Sequence, residues 1–416
     1  MATTQTQPER LWRDSNFVKL WAAQTISLSG SQVSALAVPL TATITLHATA
    51  TQLGIQNMLW TGGALLAALL AGPYVDRLPR RAVLIGADLG RGVFGLLVPL
   101  AALAGVLRME VLYVVAFCFS VLSVLFDIAQ ASFLPTIIER ERLVDGNSTL
   151  QASRSIVSVA GPSVAGAIVQ VLTAPIAMVI DALSFFCSAG LQSLIRVAEP
   201  HTNHSTQRPR LWREIAAGFR LVLRDPVLRP IAASSATFVC FLQVFFALRI
   251  LYLTREVGIT PFTLGIIAAV GSSGSLLGVV FAGKAARRLG SGRVMIIGLL
   301  LSGLGNLLTP LAAGAFPLLV GLLMLGALLD GVGGPLYNIT ALSLRQTVTA
   351  PAIQGRVNAT MRFLVIGATP LSALLSGLLA ERIGICEVLT GAGIGMLAAF
   401  LWLLSPHVFR PAKERE

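Results

Sequence analysis

The chain has 416 residues, 55% of them hydrophobic and only 12% charged, with a formal net charge of +12. Ordinary soluble domains carry about 25% charged residues, so this balance sets the chain apart from them and places it among multi-span membrane proteins. The basic excess does not read as a nucleic-acid surface, because the arginines and lysines sit in short breaks between apolar runs.

The first residues, MATTQTQPERLWRDSNF, lack the apolar core and cleavage site of a signal peptide and read as a cytosolic leader. Leu20 to Val75 then passes without a single Asp, Glu, Lys or Arg, which is room for two membrane helices. Breaking the remaining apolar runs at charges, prolines and polar clusters predicts twelve helices. They lie at 17–43, 52–72, 82–107, 111–134, 146–171, 174–196, 230–254, 262–284, 293–313, 316–341, 356–380 and 384–405. The organisation expected is a six-helix bundle with its leader at 1–196, a cytosolic central loop at 197–229, and a second six-helix bundle with its tail at 230–416. With the N-terminus inside, 24 of the 31 Lys and Arg residues fall on the cytosolic side, and only Arg108, Arg255 and Arg382 lie in outer breaks. That asymmetry follows the positive-inside rule and puts both termini in the cytosol.

The halves resemble each other. TQLGIQNMLWTGGALLAALLAG at 51–72 aligns without gaps to FTLGIIAAVGSSGSLLGVVFAG at 262–283, and the same register lays Asp14 over Asp225. Gly86 matches Gly298 after one insertion, and Leu125-Phe126-Asp127 recurs as Leu328-Leu329-Asp330. An even number of helices per half gives both repeats one orientation, related by an axis along the membrane normal, which is a transporter architecture.

The loop GPYVDRLPRR at 72–81 concentrates charge where lipid excludes it. Its pattern, Gly72, Asp76, Arg77, Arg80 and Arg81, resembles the helix 2–3 signature of the major facilitator superfamily, and the resemblance extends over nearly the whole chain. It implies an all-α fold of twelve helices in two bundles, a small-molecule substrate, and a role for Asp76 and Arg77 in steadying one conformation. The second copy has Arg287 in place of Asp76. Helix 1, this loop, and QGRVNATMRFLVIGATPLSALLSG resemble the bacterial drug-exporter branch that includes macrolide pumps and the enterobactin exporter. Gly161, Pro162 and Gly166 on helix 5 are similar to the antiporter motif of the superfamily, with Ala165 departing from it. The arginine-containing signature of helix 4 found in many proton-coupled members is missing. Protons are the coupling ion that the resemblance implies.

Charges inside apolar segments need a reason, since each costs about 2.5–3.5 kcal/mol at a helix centre on insertion scales. Asp127 and Arg154 lie about 14 and 13 residues from the middle of the helix 4–5 turn, so an antiparallel hairpin puts them at similar depth. Asp330 and Arg362 stand in the same relation in the second half. Two acid–base pairs are therefore expected, which either lock their helices or open and take up a proton during a cycle. Arg249 on helix 7 either snorkels outward or contacts an anionic group. Asp88, Arg91 and Asp181 lie on helices 3 and 6, peripheral in the family, and read as structural. Gln24, Gln32, Asn57, Trp60, Phe241 and Gln243, with Arg249, are the candidate cavity lining for bulky amphipathic compounds. Ser27, Ser29, Ser31 and Ser34 accompany them on helix 1.

No GxxxxGK[ST] loop is present, and the four histidines form no metal pair on a helix face. The four cysteines show no metal or disulfide spacing and read as packing residues. No enzyme activity, cofactor, metal or nucleic-acid partner is expected. The expected protein is a monomer of the bacterial plasma membrane that exports drug-type compounds by proton antiport. A narrow exporter of a siderophore or other secreted metabolite is the alternative.

Overall fold

The computed structural model describes residues 11–75, 78–139, 142–197, 219–349 and 353–405, and among these every regular element is a helix. In chain order they are α1 (Ser15–Leu40), α2 (Ala50–Val75), α3 (Arg80–Leu103), α4 (Met109–Ile137), α5 (Leu143–Leu172), α6 (Ala174–Ser193) and α7 (Leu228–Leu251). There follow α8 (Pro261–Leu289), α9 (Ser291–Leu311), α10 (Phe316–Val348), α11 (Gln354–Gly367), α12 (Thr369–Ile383) and α13 (Ile385–Ala398). Ten spans among the described residues are long and apolar enough to cross a membrane. Large apolar side chains also cover the outside, as at Val171 and Leu103, which are 79% and 74% exposed. An exterior of this kind is stable against lipid tails and not against water. The protein is an all-α integral membrane protein.

Several helices overrun their predicted ends. α10 continues to Val348 with Arg345 in its last turn, and α8 to Leu289 with Arg287 and Arg288 in its last turn. Charges in a sequence mark where the apolar layer stops, whereas a helix can continue into water. The eleventh predicted helix, 356–380, is two helices meeting at Ala368, with Pro370 in the first turn of α12. Proline lacks an N–H and crowds the carbonyl four residues back, so it suits a helix start. Pro99, Pro135, Pro162, Pro310 and Pro335 are instead held inside continuous helices.

Contacts divide the chain into two compact units, Met1–Thr41 with Gly63–Ser205, and Ala42–Gly62 with Thr206–Glu416. In the first, α6 packs against α1 and α3, α4 against α3, and α5 against α1. Its core gathers Phe17, Leu20, Leu84, Phe126, Phe133 and Ile195. In the second, α10 packs against α8 and α9, and α13 packs against α7 and α9. Here the crossings are backbone to backbone. A Cβ on Gly298 would stand 2.8 Å from Gly333 O and from Tyr337 N, and one on Gly274 would stand 2.6 Å from Leu328 O. Small residues permit that approach between membrane helices, where packing must replace the hydrophobic effect. The first part of α2 belongs to the second unit for the same reason. A Cβ on Gly54 would come 2.7 Å from Ala373 O, and one on Gly377 would crowd Ala50 O.

The internal repeat is written into the hydrogen bonds. Asp14 Oδ1 accepts from the Asn16 and Phe17 N–H groups at 2.9 and 3.2 Å, opening α1. Asp225 Oδ1 accepts from Val227 and Leu228 at 2.8 and 2.9 Å, opening α7. Both helices end in a widened π turn, Thr41–Thr45 and Tyr252–Glu256, at that same offset. Ala48 N–H then bonds Ala42 O, as Ile259 N–H bonds Leu253 O, each at 2.8 Å. Thr49 and Thr260 cap the following helix by accepting from Gln52 and Thr263 N–H groups, each at 3.3 Å.

Candidate functional site

Helix α1 carries the polar residues expected of a cavity wall, but most of its hydroxyls are already used. Ser29 and Ser31 donate to the carbonyls of Thr25 and Ser27, four residues back, at 2.8 and 2.9 Å. Gln24 differs. It is 3% exposed, and neither its Oε1 nor its Nε2 has a hydrogen-bond partner. An amide buried in this way forfeits its hydration without compensation, a cost of order 1–3 kcal/mol. Gln32 lies over Gly161 of α5, where a Cβ would stand 2.5 Å from Gln32 Cγ. The antiporter-like motif therefore makes the space for a candidate cavity residue. Pro162 lies within α5 and Gly166 is buried beside Ala165.

Asp127 on α4 and Arg154 on α5 interact electrostatically, and Asp127 also senses Arg91 of α3. Both Asp127 and Arg154 are exposed on this unit. Arg91 itself is ion-paired with Asp88, and its guanidinium sits 4.4 Å from the ring centres of both Phe126 and Phe185. Two aromatic faces attract a desolvated cation and partly replace its hydration.

In the second unit the charges are joined differently. Asp330 on α10 accepts a hydrogen bond from the Ser302 hydroxyl of α9, with the Asn306 amide also turned to it, and Arg249 of α7 is its electrostatic partner. Arg362, the residue at matching depth, is an exposed side chain of α11. The isolated arginine and the aspartate that depth had paired with Arg362 are thus one constellation across α7, α9 and α10. Ser302 and Asn306 were not singled out by sequence reasoning, although four-residue spacing places them on one helix face.

Of the other candidates, Trp60 on α2 is 45% exposed, Asn57 is half-buried, and Gln243 is buried. The ring of Phe241 fills the space that a side chain at Gly395 would take. In the loop signature, Asp76 and Arg77 lie outside the described residues. Gly72 is within α2, and Arg80 opens α3. Arg81 Nε donates to Gln192 O at 3.1 Å, and its guanidinium also reaches Ser193 O. A cation there satisfies the last carbonyls of α6 and complements the helix dipole. Among the described residues no group of three His, Cys, Asp or Glu side chains could hold a metal.

The family model of the Major Facilitator Superfamily matches residues 20–252 and 234–416. The chain belongs to the Major Facilitator Superfamily. Among curated proteins, this superfamily member is similar to the multidrug efflux pump Tap of Mycolicibacterium fortuitum, at 27% identity over 82% of this chain and 84% of that one. It is also similar to macrolide efflux protein A of Streptococcus pyogenes, at 23% identity over 89% of this chain and 90% of that one. Among solved structures, a bacterial homologue of the iron transporter ferroportin in its inward-facing state matches with a TM-score of 0.73 and 19% identity, covering 95% of this chain and 100% of that one. The nucleoside transporter NupG matches with a TM-score of 0.74 and 14% identity, covering 94% and 99%. These two likenesses establish the fold.

Proposed function

We propose that this superfamily member is a secondary active exporter of small amphipathic compounds, driven by proton exchange. The observation that carries the reading is the set of ionisable groups held inside spanning helices, Asp127 with Arg154 and Asp330 with Arg249. Such groups are expensive in a bilayer and mark ion or substrate pathways. The similarity to proteins named as multidrug and macrolide efflux pumps supports the cargo class.

In this reading the protein works as a monomer in the bacterial plasma membrane, with both termini cytosolic, and alternates access to its two faces. An amphipathic cargo arrives by partitioning its apolar part into the membrane. The partnerless Gln24 amide then offers it a donor and an acceptor, with Gln32 on the same helix; Asn57, Trp60 and Gln243 are the candidate contacts of the second unit. Separation of Asp330 from Arg249 leaves an uncompensated charge in apolar surroundings, and a proton on the carboxyl neutralises it. Proton arrival and pair opening become one event. Arg81, at the end of the loop signature, holds the last carbonyls of α6, and this contact steadies one conformation on the cytosolic side.

The test is efflux of amphipathic dyes and antibiotics from energised cells lacking their own pumps, with and without a protonophore. The expected result is efflux that collapses with the gradient and is lost in Asp330→Asn. Efflux indifferent to the gradient would overturn the coupling. A flat result across a broad panel would overturn the cargo class and favour a narrow metabolite exporter.

A further inference from the structure

Helix α6 carries Asp181, Ser184, Ser188 and Gln192 at spacings of three, four and four, which puts them on one face. All four are buried, between 0% and 8% exposed, on a helix that packs against α1 and α3. At the Gln192 end three side chains converge on Asp88 of α3. Asp88 Oδ2 accepts from the Ser188 hydroxyl at 2.6 Å and from Gln192 Nε2 at 2.8 Å, while Oδ1 holds the Arg91 guanidinium. The guanidinium and these two hydrogen bonds favour its ionised form against the cost of burial.

Asp181 has much less support. It is 1% exposed, and its Oδ2 has no hydrogen-bond partner. The Ser184 hydroxyl bonds the Asp181 carbonyl at 2.7 Å and reaches Oδ1 only at 3.4 Å. Ser34 of α1 lies against the carboxyl without a well-aligned bond. Gly30 lets the α1 backbone close over the site, since a Cβ there would stand 2.8 Å from Asp181 Oδ1. The charged groups acting on Asp181 are Asp88 and Arg91 of α3, while α1 contributes only the Ser34 hydroxyl. From α4, Asp127 draws on the same Arg91. One guanidinium thus faces two fully buried carboxyls, and its ion pair is with Asp88. A second bare carboxylate here would be an uncompensated buried charge, which proteins avoid by taking up a proton.

We infer that Asp181 is a proton-binding site, its carboxyl carrying a proton while Asp88 serves as the ionised partner of Arg91. The stripe of Ser184, Ser188 and Gln192 runs from it about 16 Å along α6, at 1.5 Å per residue, to the end capped by Arg81. The inference deepens the proton-exchange reading and rests on it only for what the proton is used for.

The test is infrared spectroscopy of the full-length protein in lipid, comparing the deuterium-sensitive carbonyl stretch of protonated carboxyls across a pH series. At neutral pH the wild-type protein shows such a band, and Asp181→Asn removes it. Asp88→Asn removes it too, with Asp181 still present, because the freed Arg91 then takes Asp181 as its counterion. Arg91→Met adds a second protonated carboxyl and strengthens the band. No band in the wild type, or a band unchanged in Asp181→Asn, overturns the proposal. If Asp181→Asn does not fold, Asp88→Asn decides alone, and persistence of the band there overturns it. Loss of the band in a protein without gradient-driven efflux would keep the site and remove the antiport reading. Gradient-driven efflux with the band untouched by Asp181→Asn would remove the site alone.

Discussion

At the start of α1 Asp14 closes its carboxylate over two backbone N–H groups, and at the start of α7 Asp225 does the same. Further into each half the agreement stops. Asp127 answers to Arg154 and Arg91 on neighbouring helices, while Asp330 answers to Ser302, Asn306 and the distant Arg249. Caps, π turns and helix starts recur because any chain tracing this path must satisfy the same backbone groups. Charge partners answer to no such requirement, so each half has wired the acid of its fourth helix separately. A shared fold therefore gives no warrant for carrying a functional role from one half to the other.

The comparison breaks most sharply at the acids. Asp330→Ala removes the acceptor of the Ser302 hydroxyl and the charge that acts on Arg249, and a loss of about 1–3 kcal/mol of stability is expected. Asp127→Ala, on an exposed position with two arginines nearby, costs less than half as much. Thermal unfolding in detergent measures both, and equal losses would contradict the difference in wiring. A double-mutant cycle of Asp330→Asn with Arg249→Met sharpens it, with a coupling of about 1–3 kcal/mol expected.

Glycines give the next effect. A Cβ at Gly298 meets the backbone of α10, whereas at Gly86, its counterpart, nothing lies within 4 Å. Gly298→Ala is expected to cost about 1–3 kcal/mol through overpacking, and Gly86→Ala to be neutral or slightly stabilising. The caps follow, with Asp14→Ala and Asp225→Ala each losing about 1 kcal/mol. A clear inequality between them would argue against an equivalent role. The smallest effect is at the turn after helix one of each half. His47 adopts a left-handed φ of 50° where the repeat has Gly258 at 76°. His47→Gly is expected to change stability by no more than a few tenths of a kcal/mol, and Gly258→Ala to lose about 1 kcal/mol. Melting temperatures of the two variants check this.

The sequence already held the helical fold, the repeat and the alignment of Asp14 with Asp225, because apolar length and backbone capping are local properties. The break at Ala368 was legible in Thr369-Pro370 but was masked by other prolines that sit inside continuous helices. Depth arithmetic brought Asp127 and Arg154 to one level, yet depth leaves rotation about the helix axis open. That freedom is why Arg249, rather than Arg362, is the arginine that acts on Asp330. The stripe from Asp181 to Gln192 was readable as a three-four-four spacing, but its meaning depends on Gly30 and Arg91, which only the packing of α1 and α3 brings together.

The glycine crossings of α8 and α9 with α10 bear on how this chain can evolve. Every amino-acid change one nucleotide away from a glycine codon adds a Cβ, so nearly every step at Gly274, Gly298 or Gly333 collides with backbone that cannot turn aside. Selection is expected to act against such changes, because the clash is with backbone and a second side-chain change does not relieve it. Inherited variation in this protein should accumulate elsewhere, on the lipid-facing surfaces and on those walls where a side chain already stands.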